Sequence, residues 1–360
     1  MGVRSGAGRT PIIFRAKGKT MSIYLVTGAA GHLGSHVVKA LIERGDRVRA
    51  LLMPGEAFPP FVPDSARLEQ VFGDVRDAEA LSIRLFDGAE GEAVVVHCAG
   101  IVEITGRPNR RLYDVNVGGT KNVVDACARF GARRLVYVSS VHAIPTLPRG
   151  QVMREIEAFD PEDVSGPYDK SKAEATRLVL ERAKDGLDAV CVHPTGIIGP
   201  HANPAVGSAR LISACLRGRL LAAVRGGFDF VDVRDVAEGI LAAADGGKSG
   251  ACYILSNRFV SFRELLDTLT RAAGLKRIRL YLPAKVALFF APLAEAYYRV
   301  TRSAPLFTRY ALETATRNAL YSHEKATREL GYKTRSLART MIDIVAASGM
   351  KRKKRAPQPG

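Results

Sequence analysis

The sequence lacks the cysteine patterns of a disulfide scaffold or a metal site. Its five cysteines are odd in number, scattered and mostly set in apolar runs: Cys98, Cys127, Cys191, Cys215 and Cys252. No CxxC pair or Cys/His cluster has the spacing of metal ligands, so we expect no bound metal. Isolated thiols in apolar runs are typical of core residues in a reducing compartment, and we therefore expect a cytoplasmic protein.

Long hydrophobic runs are also missing. The first twenty residues contain no continuous apolar stretch of the kind found in a secretory signal. Residues 286–294 are apolar, but a run of nine residues that includes Pro292 is too short to span a bilayer. The apolar helical face of residues 286–298 fits three interpretations: ordinary core, an apolar pocket, or contact with a membrane surface.

Acidic residues are absent from both ends of the chain. Residues 1–20 and 351–360 each carry five basic residues and no acidic one, so the formal net charge falls from +17 for the whole chain to +7 over residues 21–350. We predict disordered basic tails over residues 1–20 and 346–360, with no specific nucleic-acid site. Attraction of the C-terminal tail to anionic surfaces stays open. A nucleic-acid-binding module would instead bind with a steep salt dependence that is lost with the tails.

The first half of the chain alternates short buried strands with amphipathic helices. Strands are predicted at residues 22–27, 48–52, 68–72, 94–98, 135–139 and 189–192, and helices at residues 35–44, 120–130 and 170–184. The unbroken valines of residues 94–96 indicate a strand buried on both faces. This alternation predicts an α/β protein with a doubly wound parallel sheet.

After about residue 200 the alternation loosens. Helices are predicted at residues 209–217, 236–244, 262–273 (entered through Ser261) and 322–330 (closed by Gly331), and a strand at residues 252–255. We predict a Rossmann domain over residues 21–200, with a returning segment near residues 228–245. A smaller, interleaved substrate-binding lobe is predicted over residues 201–345.

A glycine-rich loop, TGAAGHLG, joins the first strand to the first helix. Gly28 permits the tight turn, Gly31 lets the backbone approach a pyrophosphate, and Gly34 lets the helix pack on the strand. A bare glycine-rich turn is the alternative, but the strand–turn–helix context favours a dinucleotide site. The predicted cofactor-binding residues of this loop are Thr27, Gly28, Ala30, Gly31, His32, Leu33 and Gly34.

The end of the second strand, where NAD and NADP are usually distinguished, reads ALLMP. It offers neither the carboxylate that NAD-binding proteins present to the ribose 2′-hydroxyl nor the arginine that accommodates a 2′-phosphate. Because no anion would repel that phosphate, the sequence favours NADP over NAD. Arg49 or His32 could supply the positive charge.

Tyr168 and Lys172 lie four residues apart, on one face of a predicted helix. A lysine charge beside a phenol would lower the phenol pKa towards neutrality, so that the tyrosine could exchange a proton with a substrate oxygen during hydride transfer. Ser139 and Ser140 end the buried strand before this helix, at the sheet edge where ligands bind. An exposed helix turn and two strand-terminating serines are the alternative.

These motifs, in this order, resemble the extended short-chain dehydrogenase/reductases of the NAD-dependent epimerase/dehydratase type, over about residues 22–340. The resemblance implies catalytic roles for Ser140, Tyr168 and Lys172, with Ser139 as the alternative serine, and a site role for Asn116. It further implies cofactor contacts from Asp74, Val75, Cys98, Ala99, Gly100, Tyr168, Lys172, Pro194, Thr195 and Gly196. Asn116 could alternatively serve only to hold the neighbouring backbone, and Asp74 to cap a helix.

Within that family the chain most resembles the dihydroflavonol reductase and 3β-hydroxysteroid dehydrogenase group. This implies a homodimeric NAD(P)-dependent oxidoreductase that interconverts a secondary alcohol and a ketone on a fairly apolar, sterol-, flavonoid- or isoprenoid-like molecule. A dehydratase is disfavoured because Val141 and His142 replace its acidic pair; His142 could nevertheless face the substrate. A nucleotide-sugar epimerase, using Arg210, Arg217 or Arg219 for a diphosphate, and a non-catalytic dinucleotide sensor remain alternatives.

Overall fold

Seven parallel strands form the central sheet of the computed structural model, which describes residues 22–103, 109–204, 206–283, 285–287, 289 and 316–350. In the order β3-β2-β1-β4-β5-β6-β10, their bounds are Leu68–Phe72, Arg47–Leu52, Ile23–Thr27, Ala93–His97, Arg134–Val138, Ala189–Pro194 and Cys252–Leu255. The strand order reverses between β1 and β4, which is the switch point of a doubly wound sheet. The predicted α/β fold is confirmed, including the strand at residues 94–98, since β4 is buried along its whole length.

Helices cover both faces of this sheet, and each face encloses its own apolar cluster. On one face α1 (His32–Arg44) and α7 (Val233–Gly246) pack together. On the other lie α4 (Thr120–Arg129) and α5 (Pro167–Lys184). Helix α4 continues α3 (Arg110–Tyr113) through a π-helical turn at Asp114–Gly119, while α2 (Ala78–Ala80) leads into a second π-helical turn at Leu81–Leu85.

A third apolar cluster, formed by helices and short strands, lies beside the sheet. Strands β7 (Gly196–Ile198), β9 (Gly227–Asp232) and β11 (Arg258–Ser261) form one small sheet, and β8 (Ala222–Val224) pairs with β12 (Leu280–Leu282). The lobe is completed by α6 (Gly207–Leu216), α8 (Phe262–Ala273) and α10 (Leu337–Ala347), whose apolar faces meet in its core. The chain thus builds a separate small core from the segments that follow residue 196.

The chain returns to the main sheet for longer than the sequence indicated. Besides α7, strand β10 and helix α9 (Glu324–Leu330) pack against the central sheet, so the return extends well beyond residue 245. The tail predicted from residue 346 begins too early, because α10 runs through Ala347 and Met350 packs on the lobe core. Residues 1–20, residues 351–360 and most of the apolar segment 286–298 lie outside the described residues.

Local signals at the helix ends are those expected from the sequence. The Ser261 side chain accepts a hydrogen bond from the Glu264 N–H and caps α8, and Gly331 ends α9 with φ +67°. Pro167 occupies the first turn of α5, where its fixed φ suits a helix start, and so places Tyr168 at the helix entrance. Within the described residues, no helix has the length and apolar character needed to cross a membrane.

Candidate active site

The glycine loop lies at the carboxyl edge of the sheet, between β1 and α1. Gly28 has φ +64°, and a Cβ on it would lie 2.6 Å from the Ala99 nitrogen at the end of β4. A Cβ on Gly34 would lie only 2.1 Å from the Gly28 carbonyl oxygen, whereas one on Gly31 would meet no atom closer than that same oxygen, at 3.1 Å. Each glycine therefore meets the steric demand that the loop pattern predicts.

The start of α1 suits an anion. Gly31 caps the helix without a side-chain hydrogen bond, and no acidic residue lies in the first turn. The first N–H groups of a helix have no intrahelical partner and carry the positive end of its dipole. The loop thus fits the pyrophosphate of a dinucleotide, with Ala30, His32 and Leu33 supplying backbone to its rim.

The ends of β1 and β4 are tied together beneath this loop. The Thr27 hydroxyl accepts a hydrogen bond from the Ala99 N–H at 3.3 Å and bonds to the His97 Nδ1 at 2.7 Å. The other ring nitrogen of His97 bonds to Thr120, and burial lowers the His97 pKa to about 3. His97 is therefore a neutral structural residue, and Cys98, Ala99 and Gly100 line the edge that it supports.

The predicted adenine contacts lie at the end of β3. Asp74 accepts hydrogen bonds from the backbone and guanidinium of Arg76, which hold the pKa of its carboxyl below the usual range. Val75 is buried against Gly119, where a Cβ would lie 2.6 Å from the valine side chain. The backbone of Val75 is fixed in turn by the Asn122 amide.

Ser140 and Tyr168 meet at the end of β5. Both side chains are buried, and the interaction with Ser140 lowers the Tyr168 pKa against the larger effect of burial. Ser139, the alternative serine, instead bonds to Thr176 at 2.6 Å. The structure therefore brings Ser140, and not Ser139, to the phenol of Tyr168.

Lys172 is buried one helical turn after Tyr168. Its Nζ donates to the Val138 carbonyl oxygen at 2.9 Å and lies 5.1 Å from the centre of the Tyr137 ring. Burial lowers the Lys172 pKa to about 8. Burial also raises the Tyr168 pKa to about 12, opposed by the Ser140 hydrogen bond. The sequence-based expectation that the lysine charge brings the phenol pKa below 10 is not met, because desolvation is the larger effect.

Asn116 lies in the π-helical turn before α4, with its amide fully engaged. It accepts a hydrogen bond from the Ile101 N–H at 2.8 Å and donates to the Ile101 carbonyl oxygen and the Ser171 hydroxyl. These bonds join the segment after β4 to α5. Asn116 thus holds the backbone around Gly100 and Lys172, which agrees with the structural interpretation of this residue.

The segment after β6 joins the sheet to the lobe. The Thr195 hydroxyl donates to the buried Asp229 carboxylate at 2.8 Å, and a Cβ on Gly196 would lie 2.9 Å from the Phe228 ring. Burial raises the Asp229 pKa to about 6. The Thr195 side chain is therefore held by β9, and Pro194 and Gly196 leave the backbone to form this wall of the site.

The end of β2 carries a carboxylate that the sequence analysis missed. Gly55, with φ +86°, forms a turn in which the Glu56 N–H bonds to the Met53 carbonyl oxygen. The Glu56 carboxylate folds back onto the Met53 N–H at 3.0 Å. A Pro-Gly pair at the centre of a turn is the signal that predicts this reversal.

The two cations expected to favour NADP are engaged elsewhere. The Arg49 guanidinium bonds to Glu69 and to the carbonyl oxygens of Leu85 and Asp87. The His32 Nε2 lies 3.0 Å from the Pro200 carbonyl oxygen, and burial lowers the His32 pKa. Neither group supports the preference for NADP.

A cavity of about 340 Å³ lies between the end of β5, the start of α5 and the lobe. Ile144, Val164 and Phe228 give it apolar walls, and His142, Asp169 and Arg317 give it polar ones. His142 also lies against Tyr168, with 5.6 Å between the ring centres. His142, and not Tyr168 itself, therefore lines this cavity beside the proposed acid–base residue.

Comparison with known proteins gives a consistent result. The model of the family described as "NAD dependent epimerase/dehydratase family" matches residues 24–255. The chain is 33% identical to sterol demethylase protein B of Methylococcus capsulatus, over 89% of this chain and 97% of that protein. It is 30% identical to human 3 beta-hydroxysteroid dehydrogenase type 7, over 91% and 96% of the two chains. The crystal structure of gox2253 superimposes with a TM-score of 0.75 at 29% identity, covering 91% of this chain and 97% of that one.

Proposed function

The chain belongs to the NAD-dependent epimerase/dehydratase family and is an NAD(P)-dependent oxidoreductase of the extended short-chain type, and from this premise we propose that it interconverts a secondary alcohol and a ketone. The observation that carries the proposal is the buried placement of Tyr168 beside Ser140, with Lys172 anchored one turn away. When bound, the nicotinamide supplies the hydride acceptor or donor. Its pyrophosphate would be held by the loop from Thr27 to Gly34 and the start of α1.

The residues of the site would then move one proton. In the direction of alcohol oxidation, Tyr168 takes the hydroxyl proton while the carbinol hydride leaves. Ser140 hydrogen-bonds the substrate oxygen and holds it against the phenol. Lys172, when protonated, stabilises the phenolate that a buried tyrosine would otherwise form only at high pH. In ketone reduction the same phenol returns the proton.

The proposed substrate is a largely apolar, sterol-like molecule. Two relatives that match nearly the full chain are named as a sterol demethylase protein and a hydroxysteroid dehydrogenase. Ile144, Val164 and Phe228 provide apolar contacts in the cavity. The epimerase alternative gains no support from Arg217 and Arg219, two of the three arginines suggested for a diphosphate, since both are exposed on the outside of the lobe.

The test is reduction of a 3-oxosteroid by Tyr168→Phe. We expect the variant to bind reduced cofactor normally but to lose turnover by about 100- to 10,000-fold, because it lacks the proton donor. Tyr332→Phe, another buried tyrosine outside the site, is the matched control. Wild-type protein that reduced no 3-oxosteroid but epimerised a nucleotide sugar would overturn the substrate assignment, and turnover unaffected by Tyr168→Phe would overturn the mechanism.

For the cofactor we propose NAD over NADP. The Glu56 carboxylate lies at the end of β2, where it would accept a hydrogen bond from a ribose 2′-hydroxyl and repel a 2′-phosphate. We expect Glu56→Gln to shift the ratio of the two dissociation constants towards NADP by about tenfold, as removal of one close like charge implies. Asp64→Asn, in the same loop, should leave the ratio unchanged. Tighter binding of NADPH than NADH by the unaltered protein would contradict this assignment.

We also propose a membrane-facing surface on the lobe, here called the basic lobe surface and defined as residues 206–228, 274–283, 285–287 and 289. These segments contain eight basic residues and, apart from Asp in none of their exposed apolar positions, their charge is positive. They are joined by the pairing of β8 with β12. Leu221 is 86% exposed, Phe289 79% and Leu280 54%. Basic and exposed apolar side chains together suit an anionic lipid surface, from which an apolar substrate could be drawn.

The homodimer implied by the family resemblance stays a prediction.

A further inference from the structure

Three loops of the proposed cofactor site meet in a cluster of aromatic rings beside the start of α1. The glycine loop leads into α1, which carries His32 and His36. Residues 53–67 follow β2, the strand whose end lies near the adenosine ribose in dinucleotide-binding folds. Residues 199–204 follow β7 and continue the wall that begins after β6. The cluster therefore joins the loops on the two sides of the glycine loop.

Stacked rings form the centre of this cluster. Phe61 and His201 lie with 4.2 Å between their ring centres and 17° between their planes. The His36 ring packs on Phe61 at 4.6 Å and lies 6.3 Å from the His201 ring. Each of the three loops thus contributes one ring. We call His36, Phe61 and His201 the aromatic clasp.

Hydrogen bonds tie the aromatic clasp to the glycine loop. His32 Nε2 lies 3.0 Å from the Pro200 carbonyl oxygen, and His36 Nδ1 lies 2.9 Å from the His32 carbonyl oxygen. Because a carbonyl oxygen only accepts, both ring nitrogens donate. The backbone next to His201 is therefore fixed to the loop that would hold the pyrophosphate.

The histidines of the aromatic clasp act by packing and not by charge. Burial lowers the pKa of His36 to about 4 and also lowers that of His201. Both rings are therefore neutral at pH 7, and neither would attract the pyrophosphate as a cation.

The backbone of His201 points to the same role. With φ +61°, it is the only residue other than glycine that has a positive φ in the described part of the chain. A residue with a Cβ adopts this conformation less easily than glycine, so the turn alone does not account for a histidine here. The ring that stacks on Phe61 does account for it. Phe61 in turn follows Pro59 and Pro60, whose fixed φ limits the movement of its loop.

We propose that the aromatic clasp positions the cofactor, by holding the loops after β2 and β7 at the separation that one dinucleotide spans. This inference rests on the proposed function, because it requires a pyrophosphate at the glycine loop. The clasp residues act through the two loops and contact no reacting atom. A ligand that reaches both loops should depend on the clasp, whereas a ligand confined to the loop after β2 should not.

Two ligands of different length test this proposal on the full chain. NADH would span both loops, and AMP would not reach the loop after β7. Phe61→Leu removes one stacked ring but keeps an apolar side chain, and His201→Asn removes the other but keeps a residue that tolerates positive φ. We expect each variant to raise the Kd for NADH about three- to tenfold, as loss of one aromatic pair implies, and that for AMP less than about twofold. Fluorescence titration measures NADH binding, and calorimetry measures AMP binding.

The double variant tests whether the two rings act together. It should lose little more NADH affinity than either single variant, because each change removes the same contact. Additive losses would contradict a clasp. Phe58→Leu, in the same loop and on the same apolar cluster, is the control and should leave both dissociation constants unchanged.

The clasp and the cofactor site fail in different ways. Normal NADH binding by both single variants would overturn the clasp and leave the cofactor site standing. Equal losses for NADH and AMP would show that the changes only disturb the loop after β2, which also overturns the clasp. If the unaltered protein bound neither ligand, the proposed function itself would fail.

Discussion

Burial shifts the two ionisable groups of the proposed acid–base pair in opposite directions. It lowers the pKa of Lys172 to about 8 and raises that of Tyr168 to about 12. Burial therefore disfavours the charged forms of both groups. A bound cofactor and substrate would have to supply the electrostatic partners that make the phenol reactive, which ties proton transfer to a filled site.

The Lys172 shift predicts a pH dependence of stability. The folded protein releases this proton near pH 8 and the unfolded chain near 10.5, so between these values the unfolded state holds more protons and the free energy of unfolding rises with pH. Lys172→Met should remove a rise of up to about 1.4 kcal/mol per pH unit.

Urea unfolding between pH 7.5 and 9.5 measures this slope, below the range in which Tyr168 titrates. Lys121→Met, on the exposed face of α4, serves as the control and should keep the wild-type slope. A wild-type slope that survives Lys172→Met would mean that the lysine is not desolvated in the folded protein.

At the scale of single elements, the glycine loop and α1 are so closely packed that one added methyl group should push the helix away from the loop. A Cβ on Gly34 would lie 2.1 Å from the Gly28 oxygen and 2.9 Å from the Ala29 Cα, both backbone atoms that cannot rotate away. Gly34→Ala should therefore destabilise the fold by about 1–3 kcal/mol. Because α1 would be pushed from the anion site, NADH affinity should fall at least tenfold.

The matched control is Gly246→Ala, at the end of α7, where a Cβ meets no atom within 4 Å. This variant should keep wild-type cofactor affinity, with stability unchanged or slightly higher because alanine favours the helix. Denaturant unfolding and fluorescence titration with NADH measure the two effects. Normal NADH binding by Gly34→Ala would show that the loop is not the pyrophosphate site.

The strands of the central sheet were predictable because each is a buried apolar run. Their apolar residues do not show the spacing that is typical of an amphipathic helix. Strands β4 and β6 are valine-rich and buried at every position, as in parallel sheets covered on both faces. The lobe was harder, since β7, β8 and β12 have three residues each and gain their pairing from distant segments. Helix α10 was missed although Ser336 caps it in the usual way.

The residues of the candidate site likewise fall into two groups, those that the sequence could predict and those that it could not. Motif positions such as Tyr168 and Gly28 could be found from local spacing, because the loop and the helix start are continuous in sequence. The polar set of His142, Asp169 and Arg317 could not, since its members are separated by up to 175 positions in the chain and meet only through the return of the C-terminal segment. Glu56 was missed for a smaller reason: a four-residue turn carries it back to β2.

At the scale of the whole molecule, the positive charge has two separate sources. The tails supply ten of the basic residues, and the basic lobe surface supplies eight more with exposed leucine and phenylalanine among them. Both would attract anionic lipid, but only the lobe could also insert apolar side chains. The two contributions are therefore separable by equal changes of charge in the full chain.

We expect the full chain to bind vesicles that contain phosphatidylglycerol and to bind pure phosphatidylcholine vesicles weakly. Reversing Arg217, Arg219 and Arg279 to Glu should weaken binding to the anionic vesicles at least about 100-fold, at about 1 kcal/mol or more per charge near the surface. Reversing Lys351, Arg352 and Lys353 to Glu changes the net charge equally and is the control.

Leu221→Ser should weaken binding with no change of charge, because Leu221 is 86% exposed and would enter the lipid interface. Co-sedimentation at two salt concentrations measures all four proteins. Equal losses from the lobe and tail reversals, with no effect of Leu221→Ser, would show that the tails act by net charge alone and that the lobe does not face the membrane.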